Sequence, residues 1–124
     1  MGRKTPPFPP YPAWTTAKAF SFFRSGLRAK WSRWPPKFDV LKDARINVYG
    51  QRHRYEYTCA ECEDSFKLPQ VEVDHIYPCG SFNTFEDAGG FMERLFVGKD
   101  KLRVLCKPCH KRITKEARDA TKTT

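Results

Sequence analysis

Three stretches decide how this chain reads: 59–62 (CAEC), 71–78 (VEVDHIYP) and 101–110 (KLRVLCKPCH). Each CxxC pair, Cys59 with Cys62 and Cys106 with Cys109, lets one tight turn aim two thiolates at a single ion. Two such turns supply the four ligands that close a structural zinc site. Two disulfides are the alternative, and they belong to an oxidising compartment. Pro6, Pro7, Pro9, Pro10 and Pro12 stand where the apolar stretch of a secretion signal would lie. The expectation is therefore zinc, in a cytoplasmic protein. A redox CxxC fits poorly with two copies in one small chain. The metal would fasten the first cysteine hairpin to the C-terminal segment. The fifth cysteine, Cys79, is expected as a buried thiol rather than a ligand.

Working outward, the chain divides into four segments. Residues 1–12 form a Pro-rich arm, expected to be extended, with Phe8 and Tyr11 pinning it to the body. Residues 13–53 form a basic helical segment. Its first helix is predicted over 13–34, from apolar residues three or four apart at Trp14, Ala17, Phe20, Phe23, Leu27, Trp31 and Trp34. Pro35-Pro36 stops it. A second helix is predicted over 38–49, with Phe38, Leu41, Ala44 and Val48 on one face and Gly50 as its C-cap. Residues 54–120 form the third segment. Short alternating runs flank Cys59 and Cys62 and continue through Val71, Val73 and Ile76. A long connection over 77–100 contains a helix at 85–96, broken at Gly89-Gly90. A short apolar run at 101–106 precedes a helix over 107–120, with Pro108 in its first turn. Residues 121–124 are a polar tail. The fold class is α+β.

With 124 residues the chain holds one compact domain with room for an arm, which excludes a large multidomain enzyme. No apolar run approaches the ~20 residues a membrane helix needs. An aromatic share of 15% excludes collagenous and wholly disordered classes. The net charge of +9 is one-sided: residues 1–58 carry 12 Lys and Arg against 3 Asp and Glu, whereas residues 59–124 carry 11 of each. Such asymmetry points to a polyanion, with nucleic acid ahead of an anionic membrane surface.

Asp74-His75 falls in a predicted strand, and His110 directly follows Cys109 at the start of a predicted helix. A zinc clamp would draw Asp74, His75 and His110 into one pocket. Asp and His suit a divalent ion, and a neighbouring His suits general-base work near neutral pH. In this order, CAEC, EVDHIYP and LRVLCKPCH resemble the HNH endonucleases of the ββα-metal class, and more narrowly the small zinc-bound proteins of phages and bacteria. The resemblance covers roughly residues 55–120. It implies a ββα-metal core held by a structural zinc on Cys59, Cys62, Cys106 and Cys109. It also implies that His75 is the catalytic base and that Asp74 and His110 bind one Mg²⁺ or Mn²⁺. The activity implied is hydrolysis of DNA phosphodiesters to 5′-phosphate and 3′-hydroxyl ends. Where the family carries a bracing Asn, nine residues before the last His, this chain has Lys101. Either Lys101 supports the active-site loop through a hydrogen bond, or the site is weak or retired. Asn83 has the wrong spacing for that part. Ile113 stands where a Lys often follows the CxxCH.

Phosphate contacts are expected from Arg24, Arg28, Lys30 and Arg33 on the first helix, and from Lys111, Arg112 and Lys115 on the last. Trp31 and Trp34 are expected in the core. The expected partner is double-stranded DNA, with no membrane association and no oligomeric state specified. Two other functions remain open. One is a non-catalytic zinc-ribbon module that binds nucleic acid. The other is a phage packaging or interaction partner that docks on a phage or host protein through residues 1–50.

Overall fold

The computed structural model describes residues 6–122 of the chain, so expectations for residues 1–5 and 123–124 lie outside the described residues. The fold is mixed α+β. In chain order the elements are β1 (Pro7–Phe8), β2 (Tyr11–Thr15), α1 (Thr16–Trp31), α2 (Pro35–Ala44), β3 (Arg45–Asn47), β4 (Tyr55–Thr58), β5 (Ser65–Phe66), β6 (Val71–His75), α3 (Ala88–Leu95), β7 (Leu102–Cys106) and α4 (Lys107–Lys122). No helix among the described residues is long and apolar enough to cross a membrane. The chain forms two compact units. One contains the residues up to Trp34 and Tyr77–Val97; the other contains Pro35–Ile76 and the residues from Gly98 onward. The boundary between them therefore cuts through both the 13–53 and 54–120 segments.

In the first unit the proline-rich stretch folds back on itself as a hairpin and is not a polyproline arm. β1 and β2 pair antiparallel, with Phe8 opposite Tyr11 and Pro9-Pro10 making the turn. The Thr16 N–H donates to the Pro6 carbonyl at 2.7 Å and its hydroxyl to the same oxygen at 2.9 Å. Helix α1 begins three residues later than its periodicity suggested. Thr15 is the reason: its side chain accepts from the Lys18 N–H at 3.1 Å, capping the helix and leaving 13–15 to the hairpin. Phe8 pins the hairpin to the body through edge contacts with Phe20 and Phe23. Tyr11 stays exposed.

The core of this unit is Phe20, Cys79, Phe82, Phe91 and Leu95, with Phe8, Phe23, Leu27 and Trp31 packed against it. Trp34 lies edge-on to Phe96, and its Nε1–H donates to the Val97 carbonyl at 2.7 Å. Both tryptophans are thus packing residues. Cys79 is buried, with its thiol 3.7 Å from the Arg94 carbonyl. The 85–96 region is a 3-10 turn at Phe85–Asp87 running into α3. The irregularity precedes Ala88, and Gly89-Gly90 is helical. Asp87 makes the turn by accepting the Asn83 and Thr84 N–H groups at 2.9 and 3.2 Å. Gly90 leaves room for the Arg94 guanidinium, which a Cβ there would meet at 2.9 Å.

α1 ends at Trp31, capped by Ser32, so it stops short of Pro35-Pro36; those prolines instead open a helix in the second unit, because proline's fixed φ suits a first helical turn. α2 ends at Ala44, earlier than expected, because Arg45–Asn47 pairs antiparallel with β4. Val48 therefore lies beyond the helix, and Phe38 is exposed rather than buried on its face. Gly50, with φ +75°, serves the β3–β4 turn instead of a helix cap. β5 completes a three-stranded sheet in the order β3-β4-β5. β6 and β7 form a separate antiparallel ribbon, with Val71 opposite Cys106, Asp74 opposite Arg103 and His75 opposite Leu102. α4 follows β7 without a break. The small core around Cys59, Leu105 and Cys106 is flanked by Phe66, Cys109 and Ile113. Ile113 thus has a packing role at the position noted as unusual in the sequence.

Candidate metal centre

The first cysteine knuckle lies between β4 and β5. The Cys59 N–H donates to the Asp64 carbonyl at 2.8 Å, and the Glu63 N–H to the Cys59 carbonyl at 3.0 Å. The turn closes with Glu63 at φ +67°. The Ala60 N–H donates to the Val104 carbonyl at 2.8 Å, which ties this knuckle to β7. β7 ends in Cys106, and the first turn of α4 carries Cys109. The Sγ atoms of Cys59, Cys62, Cys106 and Cys109 all lie within 4.8 Å of one another. Two of them, on Cys62 and Cys106, are 3.9 Å apart. A Zn–S distance of roughly 2.3 Å sets tetrahedral sulfurs about 3.8 Å apart, so the donor set fits such an ion.

The four thiols differ in how readily they ionise. Burial pushes the Cys59 thiol up, but hydrogen bonds from the backbone of Cys106, Cys62 and Glu61 outweigh it and hold the group at about 6. Cys106 is pushed up by burial, and Cys109 by the Cys106 sulfur and then by desolvation. Cys62 is lowered by a backbone bond at Asp64, yet desolvation and the sulfurs of Cys59 and Cys109 leave it raised overall. One thiolate forms readily and its neighbours resist. A bound divalent cation removes that resistance.

The carboxylate–histidine cluster lies on the β6–β7 ribbon. Strand alternation puts Glu72 and Asp74 on one face of β6, and Val71, Val73 and His75 on the other. α4 presents His110 to the first of these faces. His110 Nδ1 lies 2.8 Å from Glu72 Oε2, and Nε2 lies 3.3 Å from Asp74 Oδ1. The other Asp74 oxygen, Oδ2, accepts from Arg103 Nε at 3.1 Å and Nη2 at 3.0 Å. The structure therefore brings Asp74 and His110 together and leaves His75 on the opposite face, at the end of the strand. Lys101 is exposed, and its carbonyl accepts the N–H of Ile76, the residue after His75, at 3.0 Å.

Glu72 and Arg103 were missed in the sequence, although each leaves a trace there. Glu72 is two residues before Asp74, hence on the same strand face. Arg103 becomes Asp74's partner only once the register is known. Among the expected phosphate contacts, the Arg24 guanidinium bonds to the Phe82 carbonyl at 2.6 Å and Asn83 Oδ1 at 3.2 Å. Arg28 lies over the Phe91 ring. Arg112 bridges Glu61 at 3.0 Å and Glu116 at 3.1 Å, which holds its pKa above the ordinary arginine value. Lys30, Arg33, Lys111 and Lys115 are exposed. No family model, curated protein or solved structure matches this chain.

Proposed function

We propose that this protein is a divalent-metal-dependent DNA endonuclease of the HNH type, with a ββα-metal core made by β6, β7 and α4. The observation that carries the reading is the Asp74 Oδ1–His110 Nε2 pair at 3.3 Å. In the tautomer that carries its proton on Nδ1 toward Glu72, Nε2 presents a lone pair to a carboxylate oxygen. Two acceptors so placed repel unless a proton or a metal cation joins them. Adjacent ligands of an octahedral ion at roughly 2.1 Å stand about 3.0 Å apart, close to this separation. The Glu72 contact is also the outer carboxylate–histidine arrangement that orients metal ligands.

Asp74 and His110 would hold Mg²⁺ or Mn²⁺, which supplies charge stabilisation at the scissile phosphate and the leaving 3′ oxygen. His75, the last residue of β6 and on the face opposite Asp74, would have to reach round the strand end to take the proton from the attacking water. The Ile76–Lys101 backbone bond steadies the end of the strand from which it acts, supporting Lys101 in the bracing role. A zinc on the four cysteines would hold α4, and with it His110, against the ribbon.

Arg103 favours a second reading. It occupies Asp74 Oδ2 with two N–H groups, so Asp74 is satisfied without any metal. That suits a zinc-ribbon module that binds nucleic acid and does not cut. One experiment separates the two. Purified protein is incubated with supercoiled plasmid and Mg²⁺ or Mn²⁺, beside His75→Ala and His110→Ala variants. Divalent-dependent nicking by the wild type alone supports the nuclease. Nicking that persists in both variants refutes the assigned site. DNA binding without cleavage by any of the three leaves the ribbon module.

A further inference from the structure

The β3–β4 hairpin in the second unit supplies no candidate ligand to either metal site. Its loop, 48–54, is closed by the Val48 N–H donating to the Arg54 carbonyl at 2.9 Å. The tip carries Tyr49, which is 88% exposed. The ring is open to solvent at the tip and free to lie against a ligand. Arg52 and Arg54 are exposed, and no carboxylate among the described residues pairs with either guanidinium. The sole acid between Arg45 and Thr58 is Glu56, and His53 Nε2 holds it at 2.7 Å. At the base Arg45 is stacked on the Tyr55 ring at 4.1 Å, which stiffens the stem. Residues 47–55 enclose an open concavity of about 630 Å³.

We infer that this hairpin is a nucleic-acid contact surface, in which Arg52 and Arg54 grip backbone phosphates of a DNA duplex and Tyr49 lies against the groove. A two-stranded ribbon fits the major groove of B-DNA. Planar guanidinium forks match phosphate oxygens, and a polar loop with one exposed aromatic suits a duplex better than a bilayer or an apolar protein face. These residues lie outside the basic positions that the helical pattern singled out. The inference deepens the proposed function by adding a substrate contact, and it rests on DNA being the ligand, not on cleavage.

The test measures binding of a labelled duplex to the full zinc-loaded chain by fluorescence anisotropy between 50 and 200 mM salt, without added Mg²⁺ or Mn²⁺. Wild type is compared with Arg52→Ala/Arg54→Ala, with Arg52→Lys/Arg54→Lys and with Tyr49→Ala. Each phosphate contact contributes a salt slope of about 0.9. The double alanine variant is expected to lower the slope by about 1.8, losing about 12-fold less affinity than wild type over this fourfold range. The double lysine variant keeps the charge and is expected to keep the slope, which distinguishes contact loss from misfolding. Tyr49→Ala is expected to weaken binding with the slope unchanged. An unchanged slope in the double alanine variant overturns the inference even if the plasmid is cut. A reduced slope upholds it even if no cleavage occurs. Wild-type binding to anionic phosphatidylserine vesicles but not to duplex overturns it as well.

Discussion

If the four cysteines are loaded with zinc as proposed, stripping that metal should unfold the second unit, and the size of the effect follows from what else holds the unit together. Its buried aliphatic side chains are Val71, Leu102, Val104 and Leu105. Each contributes roughly 1.5–3 kcal/mol by burial, so together they supply on the order of 6–12 kcal/mol before any entropic cost. Structural zinc in small cysteine sites is worth about 10–16 kcal/mol. The metal is thus of the same size as the unit's whole aliphatic core or larger, and comparable to the net stability of a typical domain, about 5–15 kcal/mol. The cluster gathers Cys59 and Cys62 from the β4–β5 knuckle with Cys106 and Cys109 from the β7–α4 junction. Its loss therefore separates distant segments rather than loosening one turn. The assay is chelation followed by hydrogen exchange at the β6–β7 amides, with released zinc read by a chromogenic indicator. Those amides should lose protection in step with metal release, and Cys59→Ser, altering a fully buried ligand, should reproduce the effect without chelator. Full protection after complete metal removal would refute the reasoning.

Four further outcomes are expected. Glu72→Gln, which weakens the carboxylate contact to His110 Nδ1, should lower Mn²⁺ affinity about 10–100-fold in calorimetric titration while leaving the cysteine-bound metal in place. Phe91→Ala removes a ring with 0% exposure from the first unit and should cost about 3–5 kcal/mol in urea unfolding. Gly80→Ala places a Cβ on a φ of +79°, 3.0 Å from the Arg94 guanidinium, and should destabilise the same unit by about 1–2 kcal/mol. Hydrogen bonds from the Asn83 and then the Thr84 backbone, helped by Arg94, outweigh desolvation and hold the Asp87 carboxyl below its ordinary 3.8. A depressed folded-state pKa contributes stability that is present above the unfolded value and lost as pH falls through the folded one. Protection of α3 amides should therefore fall on acidification below about pH 4, and Asp87→Asn should flatten that dependence. Identical pH profiles in the two proteins would contradict this.

Features governed by neighbours in sequence were legible in the chain. Cys59-x-x-Cys62 and Cys106-x-x-Cys109 form knuckles because two intervening residues suffice to turn the backbone, and the four sulfurs do meet. The alternation around Val71 and Val73, and the apolar run 101–106, fall on β6 and on β7 (Leu102–Cys106) for the same reason. α1 and α2 were detected, but their ends were displaced. Thr15 supplies a cap that periodicity does not register, and Arg45–Asn47 is withdrawn from the helix by a strand ten residues away. The sequence of the proline-rich stretch points to an extended arm without a hairpin, because its strand partner lies across a Pro-Pro turn, and pairing is not visible in composition.

The sequence by itself determined that this chain carries two CxxC pairs, a charge excess confined to its first half, an Asp-His pair and a CxxCH. These are matters of residue type and local spacing. Only the tertiary structure decided who faces whom. The β6–β7 register sets Arg103 against Asp74, the direct passage of β7 into α4 brings His110 over Glu72 and Asp74, and strand alternation turns His75 to the other face. Register is fixed by which side chains two separated strands can bury together, an energy that neither strand carries alone.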